Sequence, residues 1–313
     1  MTILLAIALF FAGTIIIIKG GDVFIDAAAW ASDVTGISKV VIGATIVSFA
    51  TTAPEYAVST IATIKGYNDL SIGNAVGSLA ANLGIAFALL AIFTPGSIRD
   101  RLFGIKGLIM IASTAALLIF CVNGSVSILE GIALLAFFGV SVFVNIRYSK
   151  DEERNGERKQ TDPRDVALNV AKFVGGAAAI VFGSNLIVDN GKTIASYLGV
   201  SDAVIGLTFV AIGTSLPEVV TSIAAIVKKQ NALSIGNIVG ANILDATLIL
   251  ATGSFITGGN LTVSPSTVRM DLPATLIFMA VAVVPTAIGK KIYRWQGVLV
   301  ACLYAVYLFF VFV

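Results

Sequence analysis

One segment occurs twice in this chain. Residues 41–82 begin VIGATIVSFATTAPEYAVSTIATIKG and run on to SIGNAVGSLAAN, while residues 204–245 begin VIGLTFVAIGTSLPEVVTSIAAIVKK and run on to SIGNIVGANILD. The copies align without a gap at an offset of 163, and 19 of the 42 paired positions are identical. Such self-similarity indicates a duplicated structural unit. Any fold for this chain must therefore give the two copies equivalent surroundings.

Composition places the chain in a membrane. It is 57% hydrophobic and 12% charged, with 30 glycines, which is typical of a multispanning membrane protein. The partner that this composition requires is a lipid bilayer, and nothing in it points to nucleic acid. Apolar stretches divided by charges, Pro and Gly predict about ten spans of about 20 residues each. The predicted spans are residues 3–29, 38–64, 71–93, 104–122, 126–147, 166–191, 202–227, 233–256, 271–289 and 294–313.

A single clearly polar stretch, residues 149–164, falls between the fifth and sixth predicted spans. It predicts three parts: a first five-helix repeat over residues 1–148, a linker over 149–164, and a second five-helix repeat over 165–313. The expected fold class is therefore an all-α polytopic membrane protein built from two five-helix repeats.

The basic residues predict how the chain is oriented. Loops after odd-numbered spans, together with the span ends that adjoin them, hold 15 of the 20 Lys and Arg residues, whereas those after even-numbered spans hold three. By the positive-inside rule the odd loops, including loop 149–164, are cytosolic, and both termini lie outside the plasma membrane. Because each half has an odd number of spans, the second half enters the membrane in the opposite sense. The repeats are therefore predicted to be inverted.

Each copy carries an acid in the middle of a predicted span, directly after a proline: Pro54-Glu55 and Pro217-Glu218. An ionisable side chain at membrane depth is costly and indicates function. Proline interrupts a helix, so we expect broken helices at the midplane, where inverted-repeat transporters bind their substrates. Taken singly, a mid-span proline is often only a kink, and a buried acid can be a protonated structural group. Their paired occurrence with flanking polar residues favours a binding site.

Hard oxygen ligands surround both acids. Ser48, Thr51 and Thr52 precede Glu55, and Thr214 and Ser215 precede Glu218; the following spans add Ser78 and Asn82, or Asn242 and Asp245. This set suits Ca²⁺ and Na⁺. The chain has no histidine, and its two cysteines lie in separate apolar runs, so zinc and copper are not expected. Carboxylates in one pocket repel one another and need cations or protons to neutralise them, which favours obligatory exchange.

The paired motifs GATIVSFATTAPE with SIGNAVGSLAAN, and GLTFVAIGTSLPE with SIGNIVGANILD, resemble the two alpha repeats of the cation/calcium exchanger superfamily, most closely its prokaryotic sodium/calcium exchangers. The resemblance implies electrogenic Na⁺-driven Ca²⁺ extrusion by alternating access, with spans one and six sliding across the other eight. It implies that Glu55 and Glu218 are central Ca²⁺ ligands shared with Na⁺. The other implied site groups are the carbonyls of Thr51 and Thr214; Thr52, Ser78, Ser215 and the carbonyls of Ser48 and Ala211 at flanking Na⁺ sites; and Asn82 and Asp245 at the middle position.

One departure from the family pattern is Ala241, which stands where a serine is common. It removes a hydroxyl from one flanking Na⁺ site, so the Na⁺ affinity and stoichiometry stay open. Asp22, Asp26 and Asp189 lie near span ends and are assigned to the interface or to gating surfaces.

Several functional alternatives remain at this stage. Proton/calcium exchange and K⁺-dependent sodium/calcium exchange use similar residues, since carboxylates alone can carry protons. A passive channel is disfavoured because midplane acids suit an occluded site better than a continuous pore. An intramembrane hydrolase would need a nucleophile and base, and we find no such pair. We expect a transporter and not an enzyme, with Ca²⁺ and Na⁺ as cargo, no resident cofactor, and a monomer sufficient for transport.

Overall fold

The computed structural model describes residues 3–97, 102–153, 161–197 and 202–312, and this part of the chain is almost entirely helical. Nine of its helices are long and apolar enough to cross a membrane, and a tenth, α7, is 26 residues long. The helices are α1 Ile3–Thr35, α2 Lys39–Ile64, α3 Asn68–Phe93, α4 Leu102–Cys121, α5 Ile128–Glu153, α6 Pro163–Tyr197, α7 Asp202–Val227, α8 Asn231–Ile256, α9 Thr267–Gly289 and α10 Arg294–Phe312.

Each predicted span coincides with one helix, which confirms the predicted fold class. The bounds differ most where helices continue beyond the membrane-sized apolar stretch. Helix α1 runs six residues past its predicted end to Thr35, and α5 runs into the polar stretch as far as Glu153. Helix α6 begins at Pro163, where proline's missing N–H costs nothing because the first helical N–H groups have no intrahelical partner.

The duplication is visible in the element bounds. Helices α2 and α7 cover residues 39–64 and 202–227, which are related by the offset of 163. Helix α3 is α-helical over Asn68–Ala81 and then π-helical over Asn82–Phe87. Helix α8 is α-helical over Asn231–Leu244 and then π-helical over Asp245–Ile249. Both repeats therefore change from α to π geometry at the same equivalent residue.

Two short antiparallel ribbons show that the repeats are inverted. Strand β1 (Gly96–Ser97), after α3, pairs with β4 (Lys291–Ile292), before α10. Strand β3 (Leu261–Thr262), after α8, pairs with β2 (Ser125–Val126), before α5. Exchanging the two halves converts one ribbon into the other. Because the single helix α4 separates β1 from β2, the ribbons lie at opposite ends of the bundle, as inversion requires.

Helices α1 and α6 pack closely against each other. A Cβ placed on Gly13 would lie 2.9 Å from the carbonyl oxygen of Gly183, and one on Gly176 would lie 3.0 Å from the carbonyl oxygen of Gly20. Gly13 and Gly176 are equivalent in the two repeats, as are Gly20 and Gly183. The contact thus obeys the same twofold relation as the repeats, and its small residues let the two backbones approach.

A second close contact joins α2 to α8. A Cβ on Gly43 would collide with the carbonyl oxygen of Leu233, and one on Gly236 would collide with the carbonyl oxygen of Val40. This contact holds the acid-bearing helix of the first repeat against the π-containing helix of the second. The site described below therefore draws on both repeats.

Candidate cation-binding site

Helix α2 carries its irregularities just before the first acid. It is π-helical over Gly43–Val47 and then α-helical through Pro54 to Ile64. The helix does not break at Pro54, but the proline has no N–H to donate to the carbonyl of Ala50. The predicted midplane interruption thus takes the form of a π-helical segment and a proline within a continuous helix. Glu55 follows on the face of α2 that is buried in the bundle.

The two paired acids are among the most buried polar side chains. Glu55 and Glu218 are each 1% exposed. Thr52 Oγ1 of the first repeat donates to Glu218 Oε1 at 3.1 Å, so α2 and α7 meet at this point. Glu55 interacts electrostatically with Glu218 and with Asp245, which places the three carboxylates in one region. The structure therefore brings together the two acids that the sequence pairs.

Seven buried polar atoms of these acids and of nearby residues have no hydrogen-bond partner in the described part of the chain. They are both carboxylate oxygens of Glu55, Oε2 of Glu218, Oδ1 of Asp245, both amide atoms of Asn82 and Oδ1 of Asn242. An unsatisfied buried polar atom costs about 1–3 kcal/mol, more when charged, so proteins rarely keep several together. Six of these seven atoms are oxygens, which are the ligands that Ca²⁺ and Na⁺ take.

No three acidic, histidine or cysteine side chains of the described residues converge closely enough to hold a metal by themselves. A metal ligand set at this place would therefore have to include neutral oxygens beside the carboxylates. A mixed set of carboxylate, amide, hydroxyl and carbonyl oxygens fits a hard cation and excludes a thiolate or imidazole site. The residues present thus fit the cations that the sequence predicts.

The two flanks of the acid pair differ. On one flank Ser215 Oγ donates to Ser78 Oγ at 3.0 Å, joining α7 to α3. On the other flank, Thr52 is the equivalent of Ser215 and Ala241 is the equivalent of Ser78. Ala241 is buried, and its side chain has no hydroxyl group. Thr52 donates instead to the carboxylate of Glu218. One flank therefore offers two hydroxyl oxygens and the other offers one.

Two asparagines of the SIGN segments position the acid-bearing helices. Asn74 Nδ2 donates to the carbonyl of Glu55 at 3.3 Å and to Ser59 Oγ at 3.0 Å. Asn237 Nδ2 donates to Thr221 Oγ1 at 3.0 Å, and Thr221 in turn donates to the carbonyl of Glu218. The sequence analysis did not single out Asn74 or Asn237 and so missed their positioning role. A signal for this role was present in the sequence. An asparagine stands at the same place in both copies, four residues before Ser78 in the first and four residues before Ala241 in the second.

The remaining predicted site residues are in part engaged elsewhere. Thr51 Oγ1 lies 3.2 Å from Asn237 Oδ1 and 3.3 Å from the carbonyl oxygen of Ser48, and its single proton is shared between these two acceptors. The Thr51 hydroxyl therefore links α2 to α8, and the Ser48 carbonyl already accepts a hydrogen bond. Ala211 and Thr214 lie on α7, but their side chains fall outside what the structure describes.

A cavity of about 270 Å³ reaches the edge of the site between α2 and α8. Its lining is mostly apolar and consists of Phe49, Thr52, Ala53, Tyr56, Leu244, Leu248 and Ile249. Phe49 and Ala53 are exposed, whereas Thr52 is buried and donates to Glu218. The cavity thus extends from the surface of the bundle to Thr52, whose side chain contacts Glu218.

Comparisons with known proteins agree with this architecture. A family model described as sodium/calcium exchanger protein matches residues 5–147 and again residues 168–313. An uncharacterised membrane protein of Methanocaldococcus jannaschii is 31% identical over 311 residues, and the match covers 97% of each chain. The sodium/calcium exchanger MaX1 of Methanosarcina acetivorans is 28% identical over 341 residues, covering 96% of each. The structure of the sodium-calcium exchanger NCX_Mj soaked with 10 mM Na⁺ and 10 mM Sr²⁺ matches with a TM-score of 0.85 at 30% identity, covering 97% of this chain and 98% of that one.

Proposed function

This chain belongs to the sodium/calcium exchanger family, a family of membrane transporters, and on that premise we propose that it exchanges Ca²⁺ for Na⁺ by alternating access. The observation that carries the proposal is the group of partnerless buried oxygens at the junction of the two inverted repeats. A cation bound there would satisfy these oxygens and offset the repulsion between the carboxylates.

The proposed central ligands are Glu55 and Glu218, with the backbone carbonyls of Thr51 and Thr214 beside them. The proposed flanking and middle groups are Thr52, Ser78, Ser215, the carbonyls of Ser48 and Ala211, Asn82 and Asp245. The burial of Glu55, Glu218, Asn82 and Asp245 supports this assignment, because each is 1% exposed. Ca²⁺ and Na⁺ are the cargo of this site, and the proposal assigns the protein no resident cofactor.

Charge explains why the exchange would be obligatory. Glu55, Glu218 and Asp245 carry three negative charges when all are ionised, and they lie in a buried region of low dielectric constant. Moving that unliganded pocket between the two sides of the membrane would be costly, whereas a pocket filled by Ca²⁺ or by several Na⁺ ions is close to neutral. Binding of one cation or the other thus permits the conformational change that the empty pocket resists.

We propose the same topology as the basic residues predict. The two repeats would comprise residues 1–148 and 165–313, joined by a cytosolic linker over 149–164. Both termini would lie outside the plasma membrane. The two β-ribbons lie at opposite ends of the bundle, which agrees with this inversion.

Calcium flux in proteoliposomes tests the proposal directly. Purified protein is reconstituted with Na⁺ inside, and ⁴⁵Ca²⁺ uptake is followed under an outward Na⁺ gradient, with K⁺ and pH gradients imposed separately. We expect uptake to need the Na⁺ gradient and to respond to membrane voltage. Uptake driven equally well by a pH gradient without Na⁺ would replace the proposal with proton/calcium exchange. Uptake that needs K⁺ on the Ca²⁺ side would replace it with the K⁺-dependent form.

A further inference from the structure

We propose that Asp26 and Lys228 form an ion pair that stabilises one of two alternating conformations, and that Asp189 and Lys65 form the equivalent pair in the other. The inference rests on the proposed alternating access but not on the identity of the transported ions. It assigns a positioning role to four charged residues outside the cation site. For Asp26 and Asp189 it selects the gating surface over the membrane interface.

The first pair is formed in this structure. Lys228 Nζ lies 2.8 Å from Asp26 Oδ1 and 2.9 Å from Asp26 Oδ2, so it contacts both carboxylate oxygens. Asp22 Oδ1 lies 3.8 Å from the same nitrogen. Asp22 and Asp26 belong to α1, while Lys228 directly follows the end of α7. The contact therefore ties the α1–α6 pair to one acid-bearing helix.

The residues of the second pair, Asp189 and Lys65, are present in the sequence but are not in contact in this structure. The offset of 163 relates Asp26 to Asp189 on α6 and relates Lys228 to Lys65 at the end of α2. Both Asp189 and Lys65 are exposed, and neither has an ion-pair partner among the residues that the structure describes. The same two residue types thus stand at equivalent places in both repeats, yet one pair alone is in contact.

Packing shows the same asymmetry. A Cβ built on Gly21 of α1 would lie 3.2 Å from Val220 Cγ1 and 3.3 Å from Ala224 Cβ of α7, so α1 covers this face of α7. Ala224 is 8% exposed, whereas its equivalent on α2, Ile61, is 52% exposed. Ala57, the equivalent of Val220, is exposed as well. The α1–α6 pair therefore lies against α7 and leaves the matching face of α2 open.

Exchanging the roles of the repeats gives the second conformation. In it, α6 covers Ala57 and Ile61 of α2, Asp189 reaches Lys65, and Lys228 is released from Asp26. Because the repeats are inverted, the two pairs lie toward opposite membrane surfaces, and closing one end opens the other. Each pair is partly exposed and weak, so it biases the equilibrium without trapping either state.

Double electron–electron resonance on the full chain tests this without a flux measurement. With Cys121 and Cys302 replaced, spin labels are placed at Ala31→Cys and Val227→Cys in one sample, and at the equivalent positions Ile194→Cys and Ile64→Cys in another. These positions lie on α1 and α7, and on α6 and α2. The first sample reports closure of α1 on α7, and the second reports closure of α6 on α2.

We expect Lys228→Gln to lower the fraction with a short 31–227 distance and to raise the fraction with a short 194–64 distance, changing their ratio by about two- to fivefold. Asp189→Asn should shift the ratio in the opposite direction. Adding Asp26→Asn to Lys228→Gln should change nothing further, because the pair is already broken. Asp33→Asn is the matched control. The Asp33 carboxylate, near the end of α1, lies 3.9 Å from Nζ of Lys39 at the start of α2, and its loss should leave the ratio unchanged.

The proposal is overturned if Lys228→Gln and Asp189→Asn shift the ratio in the same direction, if both leave it unchanged, or if Asp33→Asn acts as strongly. A protein that alternates normally in these measurements but fails to carry Na⁺ would instead overturn the proposed function and leave the ion pairs standing.

Discussion

Asn82 and Asp245 are equivalent residues of the two repeats, and each is the first residue of a π-helical segment inside a membrane-spanning helix. A π turn is rarer than an α turn and is frequently found at functional sites. In both copies it begins at a buried residue that we propose as part of the site. The backbone is therefore symmetric at this point, whereas the chemistry is not, because one repeat supplies an amide and the other a carboxylate.

The paired acids give the first prediction. Glu55→Gln and Glu218→Gln each keep the shape of the side chain but remove a buried negative charge that a bound cation would need. We expect either change to lower Ca²⁺ affinity by about two orders of magnitude or more and nearly to abolish uptake, since losing one partner of a buried charge pair costs about 3–5 kcal/mol. Isothermal titration and ⁴⁵Ca²⁺ uptake measure the two effects.

The control for these changes is Glu130→Gln. Glu130 accepts hydrogen bonds from the backbone N–H and hydroxyl of Ser127 at the start of α5, away from the site. The Glu130→Gln substitution should leave the Ca²⁺ affinity unchanged. Parent-like exchange in either Glu55→Gln or Glu218→Gln would show that the cation site lies elsewhere.

The unequal flanks give the second prediction. Ser78 accepts a hydrogen bond from Ser215 on one flank, while Ala241 offers no oxygen on the other. Removing one hydroxyl ligand by Ser78→Ala should weaken Na⁺ activation of Ca²⁺ uptake by about two- to tenfold. Ala241→Ser restores the equivalent hydroxyl and should strengthen it by a similar factor.

The Na⁺ dependence of uptake is measured at a fixed Ca²⁺ concentration for both variants. It shows whether the two flanks contribute unequally to Na⁺ binding. A symmetric result, with both variants weakened alike, would mean that Ala241 packs where no cation binds. The unequal flanks would then be a feature of helix packing alone.

The α2–α8 contact gives a prediction on stability. Gly236→Ala would push a methyl group into the backbone of α2 at Val40 and Ala44, so we expect a loss of about 1–3 kcal/mol and a lower Tm in detergent. Gly139→Ala is the matched control, since among the described residues no atom outside the adjoining helix backbone lies within 4 Å of a Cβ there, and alanine favours a helix by up to about 1 kcal/mol. Equal Tm values for the two variants would show that α2 and α8 can separate without cost.

The sequence predicted the parts of the fold that repeat or that follow apolar length. Span α2 was predicted at 38–64 and is found at Lys39–Ile64, because its charged and polar ends mark its limits. The continuation of α1 to Thr35 was not predicted. Residues 30–35 include polar side chains that mark the end of the apolar stretch, but Ser32 is buried and its hydroxyl donates to the carbonyl of Ile37, while the Thr35 hydroxyl donates to the carbonyl of Ala31.

The sequence predicted which acidic residues form the candidate site, but it did not predict the backbone geometry or the hydrogen bonds around them. The joint pattern of Pro54, Glu55 and their copies was enough to identify the acids. The π-helical geometry at Asn82 and Asp245 leaves no periodicity signal, because the residue types that form it also form α-helix. The hydrogen bonds of Asn74 and Asn237 depend on which helices face each other, which sequence spacing alone does not determine.

The 15 to 3 division of basic residues gives a topological prediction. With Cys121 and Cys302 replaced, a cysteine at Asn155 should be protected from impermeant thiol reagents added outside intact cells, and one at Asn260 should react. Asn260 is exposed and is preferred to the adjacent Gly259, whose φ of +87° favours glycine. Labelling of Asn155→Cys with protection of Asn260→Cys would reverse the proposed orientation.

The asymmetry between Asn82 and Asp245 gives the last prediction. With Glu55, Glu218 and Asp245 all ionised the site carries three negative charges, of which Ca²⁺ compensates two and three Na⁺ ions would compensate all. Asp245 interacts electrostatically with Glu218, yet no three acids of the described residues converge into one metal cluster. We therefore propose that Asp245 holds a proton while Ca²⁺ is bound by the two glutamates.

We accordingly expect Asp245→Asn, which makes the second repeat match Asn82 of the first, to keep Ca²⁺ affinity within about tenfold of the parent and to retain substantial exchange. Its Na⁺ dependence should change more than its Ca²⁺ affinity, because a charge that balances the third Na⁺ is gone. Isothermal Ca²⁺ titration and Na⁺-gradient uptake, run beside Glu55→Gln and Glu218→Gln, measure the difference. A loss as complete as that of Glu218→Gln would make Asp245 a direct Ca²⁺ ligand and would place all three negative charges around a single bound ion.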